Sequence, residues 1–320
     1  MFPARAGSGY VHRRRTGGGW RRFAAALGSR MIEQECETAP AWFDAAVAEV
    51  PERTHFESAG ADIELLTWGQ RGRPGVLLLH GNGAHADWWR WTAPLLARDR
   101  RVAAISLSGM GGSARREEYS LAAYADEARG AIDAAGLAES GAAPFVVGHS
   151  FGGVPAAACA ARYPEAVRGL ILVDTFAIAR PRPPQPEKEG VSTYATREEA
   201  MARFRLMPRQ DAPAYVTRFI AEHSLMQTPG GWTWRFDPKI WRQLDISSFG
   251  EALSSVTRPM ACLYGEHSVL GDAEQRAAMR RLAPAAFQVE IPDAAHHIMA
   301  DQPLALVAAL RAIFAGWEAR

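Results

Sequence analysis

Apolar residues in this chain gather into short runs, at 76–79, 102–105, 145–147, 170–173 and 260–264, and 287–291 is read with them as a sixth. Runs of that length without polar alternation predict strands buried on both faces. Between most of them the spacing turns helical, over 88–97, 121–135, 154–161, 273–281 and 304–317. Strand and helix in alternation predict an α/β fold: a mostly parallel sheet flanked by helices, with ligands bound at the carboxyl ends of its strands. Ahead of this series Trp42, Phe43, Ala46, Val47 and Val50 form the stripe of a helix that stops at Pro51. Two strand-like runs, 54–58 and 63–68, are split by a turn at Gly60 and predict a hairpin.

One stretch breaks the rhythm. Residues 176–255 carry a proline-rich run, Arg180-Pro181-Arg182-Pro183-Pro184-Gln185-Pro186, and then helical segments at 198–206 and 214–223. They predict a helical lid inserted into a core made of 39–175 and 256–320. Trp232 and Trp234 are expected to pack inside that lid, because aromatic side chains serve burial first.

Composition narrows the function classes. At 320 residues the chain is long enough for one large core with an insertion. A formal charge of +1, with no basic face, excludes nucleic acid as the expected partner and points to a small-molecule substrate. Cys36, Cys159 and Cys262 are far apart, which fits reduced packing thiols and a cytoplasmic protein, not a disulfide framework or a zinc site. Residues 1–38 are expected to be a disordered or leader segment. Its first thirty positions hold Arg5, Arg13, Arg14, Arg15, Arg21, Arg22 and Arg30, no acid, and no apolar stretch fit for a signal peptide or membrane span. Removing residues 1–30 is expected to leave activity intact. No feature of the sequence speaks to oligomeric state.

The chemistry starts at Gly148-His149-Ser150-Phe151-Gly152, directly behind the run 145–147 and ahead of an alanine-rich helix. A serine on so tight a strand-to-helix turn takes strained backbone angles, and glycine two residues before and two after lets neighbouring backbone close around it. Its hydroxyl is lifted to a helix N-terminus, where developing negative charge is favoured. Ser150 is therefore the candidate nucleophile.

With the order of elements, these residues resemble the α/β-hydrolase superfamily over about residues 54–316. The likeness is to its lidded branch of esterases, carbon-carbon bond hydrolases, epoxide hydrolases and haloalkane dehalogenases. The resemblance implies roles for several further segments. His80-Gly81-Asn82-Gly83 looks like the oxyanion-hole loop, so the amides of Asn82 and Phe151 would receive the carbonyl oxygen. The loop Asp293-Ala294-Ala295-His296-His297, with Asp301-Gln302-Pro303 behind it, resembles the family's Gly-His loop. That register selects His296 as general base and leaves His297 to pack beside the site. In most relatives the acid stands where this chain has Ser268. Some branches carry it after the sixth strand instead, and there the chain supplies Asp174, with Glu266 and Asp272 as competing candidates.

The segment Ser106-Leu107-Ser108-Gly109-Met110-Gly111-Gly112-Ser113 looks like a family turn that normally holds an aspartate and a histidine; here it is expected to support the fold only. Of Trp88, Trp89 and Trp91, some should pack on the sheet and one should line the acyl pocket. A serine in place of an aspartate suits attack on a carbonyl carbon, so the resemblance implies hydrolysis of a small carboxylic ester with no cofactor and no metal. Two other readings stay open: hydrolysis of a carbon-carbon bond in a vinylogous diketone, and a non-catalytic ligand-binding homologue.

Overall fold

Eight strands line up side by side in the computed structural model, which describes residues 38–178 and 191–319. Most of the expected leader, Cys36 and the proline-rich run lie outside the described residues. In chain order the strands are β1 Glu52–Ser58, β2 Ala61–Trp68, β3 Gly75–Leu79, β4 Arg101–Ile105, β5 Phe145–His149, β6 Gly169–Val173, β7 Leu225–Thr228, β8 Gly231–Trp234, β9 Met260–Gly265 and β10 Phe287–Ile291. The large sheet runs β1-β2-β4-β3-β5-β6-β9-β10. β1 pairs with β2, and β2 with β4, antiparallel; the other neighbours are parallel, as alternating strand and helix dictate.

Two core layers follow from the period of two along each strand. In β3, Leu77 and Leu79 face the helices Leu121–Ala134 and Gly153–Arg162, while Val76 and Leu78 face the helices Ala41–Ala48 and Pro303–Glu318. Cys159 and Cys262 are buried and free, and burial pushes both thiols up to about 12. That keeps them protonated, as packing residues should be. Among the described residues no helix is long and apolar enough to cross a membrane.

Four expectations need correction. β10 is an edge strand whose apolar residues alternate with Gln288 and Glu290, and Phe287 is 42% exposed, so burial on both faces does not hold there. Val50 is 77% exposed because its helix ends at Ala48. The helix expected over 88–97 is broken into a 3-10 turn, Ala86–Trp89, and a short helix, Ala93–Ala97. Trp88, Trp89 and Trp91 are all buried, which one helical stripe cannot achieve, and Pro94 restarts the helix. The helix expected over 198–206 is shorter, Arg197–Ala202, with the Thr196 side chain capping its first turn.

The segment between β6 and β9 holds the helices Arg197–Ala202, Ala214–His223, Ile240–Gln243 and Phe249–Ser254 and the antiparallel hairpin β7–β8. Trp234 packs on Tyr194 and Phe204, inside the same segment. A buried ionic cluster joins the segment to the sheet. Glu64 pairs with Arg53 and with Arg235, 3.7 Å away, and accepts from the Ser106 hydroxyl at 2.5 Å and the Gly112 amide at 2.8 Å. Burial works to raise the Glu64 carboxyl, but the Ser106 bond and the Arg53 charge hold it below its ordinary range. Ser106, which stands where the family turn has its aspartate, also accepts from the Ala86 amide at 3.0 Å. Its work is structural.

Candidate active site

β5 runs through His149 and breaks at once into the turn Ser150–Gly152, which feeds the helix Gly153–Arg162. Ser150 has φ +52°, a left-handed conformation that costs a non-glycine residue on the order of 1–3 kcal/mol. The surroundings hold it there. A Cβ on Gly148 would overlap the Gly152 carbonyl, one on Gly152 the His80 and Leu79 carbonyls, and one on Gly153 the Thr175 side chain. Glycine at all three is what lets β5, β3 and the turn lie this close. Ser150 is only 8% exposed.

Asp174 follows the last residue of β6, also left-handed at φ +47°, and is fully buried. Parallel pairing of β6 with β9 sets it beside the loop that leaves β9. Its Oδ1 accepts from the Gly265 amide at 3.1 Å, and its Oδ2 accepts from the Ser268 hydroxyl. The same Oδ2 accepts from His296 Nδ1 at 2.6 Å. The imidazole is thus held in the tautomer that carries its proton on Nδ1 and leaves Nε2 bare. Glu266 and Asp272 are engaged elsewhere: Glu266 accepts from the Asp293 amide at 3.0 Å, and Asp272 caps the helix Ala273–Leu282 through the Gln275 amide.

Other histidines frame the site. His149 Nε2 donates to the His296 carbonyl at 3.0 Å, tying the strand ahead of Ser150 to the histidine loop. His80 accepts from the Leu107 amide through Nε2 and donates through Nδ1 to the Gly81 carbonyl, and burial pushes it down to about 3. Burial, reinforced by neighbouring imidazoles, keeps His149 well below its ordinary value and His297 at about 3. The Trp88 ring centroid lies 5.3 Å from that of His297.

The expected oxyanion loop turns through Gly81 and Asn82, closed by the Ala84 amide donating to the Gly81 carbonyl at 3.2 Å. A Cβ on Gly81 would stand 2.9 Å from His149 Nδ1 and 3.4 Å from Ser150 Cβ, so that glycine keeps space open beside the serine. Phe151 lies within the turn Ser150–Gly152, at a helix start whose first amides have no partner within the helix. Among the described residues no hydrogen bond is recorded between Ser150 Oγ and His296. In free enzymes this contact is often long and tightens with substrate.

Reading the sequence missed two contributors. Gln210, from the inserted segment, accepts from the His297 amide at 2.7 Å and donates to Asp301 at 2.9 Å. No motif marks it; only the fold brings it to the histidine loop. Ser268 was visible only as a serine in the place of an acid, and its bond to Asp174 required the pairing of β6 with β9. A surface cleft lined by Arg205, Leu206, Arg209, Gln210 and Asp211 includes neither Ser150 nor His296. Two groups among the described residues have metal-ligand spacing: buried His149, His296 and His297, and exposed Glu266, His267 and Asp293.

Residues 76–310 match the profile of the Alpha/beta hydrolase family. The esterase Rv0045c of Mycobacterium tuberculosis is 29% identical over 267 residues, spanning 80% of this chain and 87% of that protein. A 2-hydroxymuconate semialdehyde hydrolase of Pseudomonas sp. is 34% identical over 134 residues, 40% of this chain and 42% of that one. Among solved structures, a thioesterase domain from the curacin biosynthetic pathway superposes with a TM-score of 0.67 at 25% identity, across 81% of this chain and 98% of that domain.

Proposed function

The chain belongs to the alpha/beta hydrolase family, and from that premise we propose that it hydrolyses a small carboxylic ester through an acyl-enzyme on Ser150. One observation carries the reading: His296 Nδ1 is bonded to the buried Asp174 carboxylate at 2.6 Å, on the loop tied through His149 to the serine turn.

Ser150 Oγ attacks the ester carbonyl carbon while His296 Nε2 takes its proton. Asp174 stabilises the imidazolium that forms and keeps the ring in register. The amides of Asn82 and Phe151 receive the negative oxygen, each worth on the order of 3 kcal/mol in the transition state. Collapse expels the alcohol, which leaves with the proton from His296. Water then attacks the acyl-enzyme with His296 again as base, releasing the acid and restoring Ser150. The inserted segment acts as a lid: it reaches the histidine loop through Gln210 and Met207, and the serine beneath is nearly covered.

Hydrolysis of short-chain p-nitrophenyl esters, abolished in Ser150→Ala, together with labelling of Ser150 by a fluorophosphonate, is the expected result. Failure of the label to reach Ser150 would refute the acyl-enzyme. The Pseudomonas relative, a semialdehyde hydrolase, supports a second reading in which the same residues cleave a carbon-carbon bond of a vinylogous diketone. Turnover of such diketones well above esters would select it. Tight ligand binding without turnover of either class would select a non-catalytic binding protein.

A further inference from the structure

The peptide groups on either side of His296 are both tied to one small network. Ahead of it the Ala295 amide donates to Asp301 Oδ2 at 2.7 Å, and behind it the His297 amide donates to Gln210 Oε1 at 2.7 Å. Gln210 joins the two ties: its Nε2 donates to the same Asp301 Oδ2 at 2.9 Å and, less closely, to the His297 carbonyl at 3.4 Å. The His297 ring is held as well, its Nε2 donating to the Met207 carbonyl at 3.2 Å. Ala295, His297 and Asp301 follow β10 in the core, whereas Met207 and Gln210 come from the segment between β6 and β9. A primary amide is what this position calls for. Turned over, it would set its NH2 against the His297 N–H and its oxygen against the Asp301 carboxylate, so a single orientation satisfies both partners. Asp301 depends on that donor, because its Oδ1 is buried with no hydrogen-bond partner and burial already raises its carboxyl above the ordinary range.

We propose that Gln210 is a positioning residue for His296, through which the inserted segment sets the general base. Asp174 fixes the ring at Nδ1, but the backbone that carries the ring is fixed at Ala295 and His297 by Asp301 and Gln210 together. Without Gln210 the His297 amide and Asp301 Oδ2 each lose a partner, and the loop is free to shift relative to the serine turn. A displacement of about 1 Å at a reacting group costs on the order of 100-fold in rate. Turnover therefore depends on the inserted segment being seated as well as on Ser150, His296 and Asp174. The inference rests on the reading of His296 as general base.

The test compares the native full chain with Gln210→Ala, Gln210→Glu and Arg209→Ala. Two readouts are used: steady-state kinetics on a p-nitrophenyl ester, and hydrogen exchange of the 293–302 peptide by mass spectrometry. In Gln210→Ala, kcat should fall about tenfold to 100-fold with KM changed less than about threefold, and the loop amides should exchange at least about tenfold faster. Gln210→Glu sets two carboxyl groups on one contact, where a single shared proton can replace the lost amide N–H. The charged groups around that pair are Asp174, whose charge acts on Asp301, and Arg205, Arg209 and Asp211, which line the same cleft as Gln210; burial holds His297 neutral, at about 3. While the proton is shared the variant should run near the native rate; once both carboxyls are charged the contact opens. Its kcat relative to native should thus fall at least about tenfold from about pH 5.5 to about pH 9, a dependence that a change of shape alone does not produce. Arg209→Ala disturbs the cleft without touching the loop and should keep native kcat and exchange. Native kcat and exchange in Gln210→Ala, a pH-independent ratio in Gln210→Glu, or an equal loss in Arg209→Ala would overturn the proposal. Should the native chain turn over no ester, the reading of His296 as base falls, while exchange in the same variants still decides whether Gln210 holds the loop.

Discussion

Replacing Asp174 with asparagine changes one atom's chemistry at the point where the site has least freedom. In the native chain Oδ1 accepts from the Gly265 amide and Oδ2 from both His296 Nδ1 and Ser268, with the residue fully buried. An asparagine that keeps its carbonyl toward Gly265 must aim its NH2 at His296 Nδ1. That forces the imidazole proton onto Nε2, where the serine proton has to go. The flipped amide restores the tautomer but sets NH2 against the buried Gly265 amide, at a cost of about 1–3 kcal/mol, and still supplies no charge for the imidazolium. Turnover should fall about 10,000-fold, or about 5.4 kcal/mol of transition-state stabilisation, with KM little changed. The assay is kcat and KM on a p-nitrophenyl ester for Asp174→Asn and Glu266→Gln, with thermal melts to show both are folded. A folded Asp174→Asn that keeps a tenth of native turnover, or a Glu266→Gln that loses it, would refute the assignment.

Ser268→Ala removes one donor to the carboxylate and one acceptor for the Leu270 and Gly271 amides; kcat should drop about tenfold in steady-state assays while KM moves less. Restoring an acid at the family's usual place, in the double variant Asp174→Asn with Ser268→Asp, should recover at least about tenfold over Asp174→Asn alone. Gly148→Ala drives a Cβ into the Gly152 carbonyl and should cost about 2 kcal/mol, lowering Tm by about 4–8 °C in a thermal melt. His80, held by burial at about 3 against an ordinary 6.5, stays neutral in the native chain while the unfolded chain takes up a proton. Its stabilising effect is full above pH 6.5 and is lost as pH falls toward 3, by about 1 kcal/mol between pH 7.5 and 5.5. Denaturant titrations at both pH values should find that slope reduced by the same amount in His80→Gln.

How far the sequence could be read depended on how local each signal was. The inner strands were legible because burial on both faces writes itself as an apolar run, and Ser150 because its glycines answer to backbone overlap within a few residues. The carboxylate that partners His296 was only half legible. Asp174 and Ser268 are far apart along the chain, and nothing short of the β6–β9 pairing sets one hydroxyl on the other's carboxylate. The hairpin β7–β8 went unread because its four-residue strands mix polar and aromatic positions, although Gly230-Gly231 marks its turn. The broken helix at Trp88–Trp91 shows tertiary packing overriding local period: three indoles needed burial in different directions.

The place where the insertion leaves the sheet has a mechanical meaning. Asp174 is two residues before Phe176, at the root of the segment that carries Met207 and Gln210 to the histidine loop. The Gly265 and Ser268 contacts fix that carboxylate where the chain leaves the sheet. On the proposed reading, a strain put on the chain just after β6 would therefore reach the imidazole through one shared oxygen, Asp174 Oδ2.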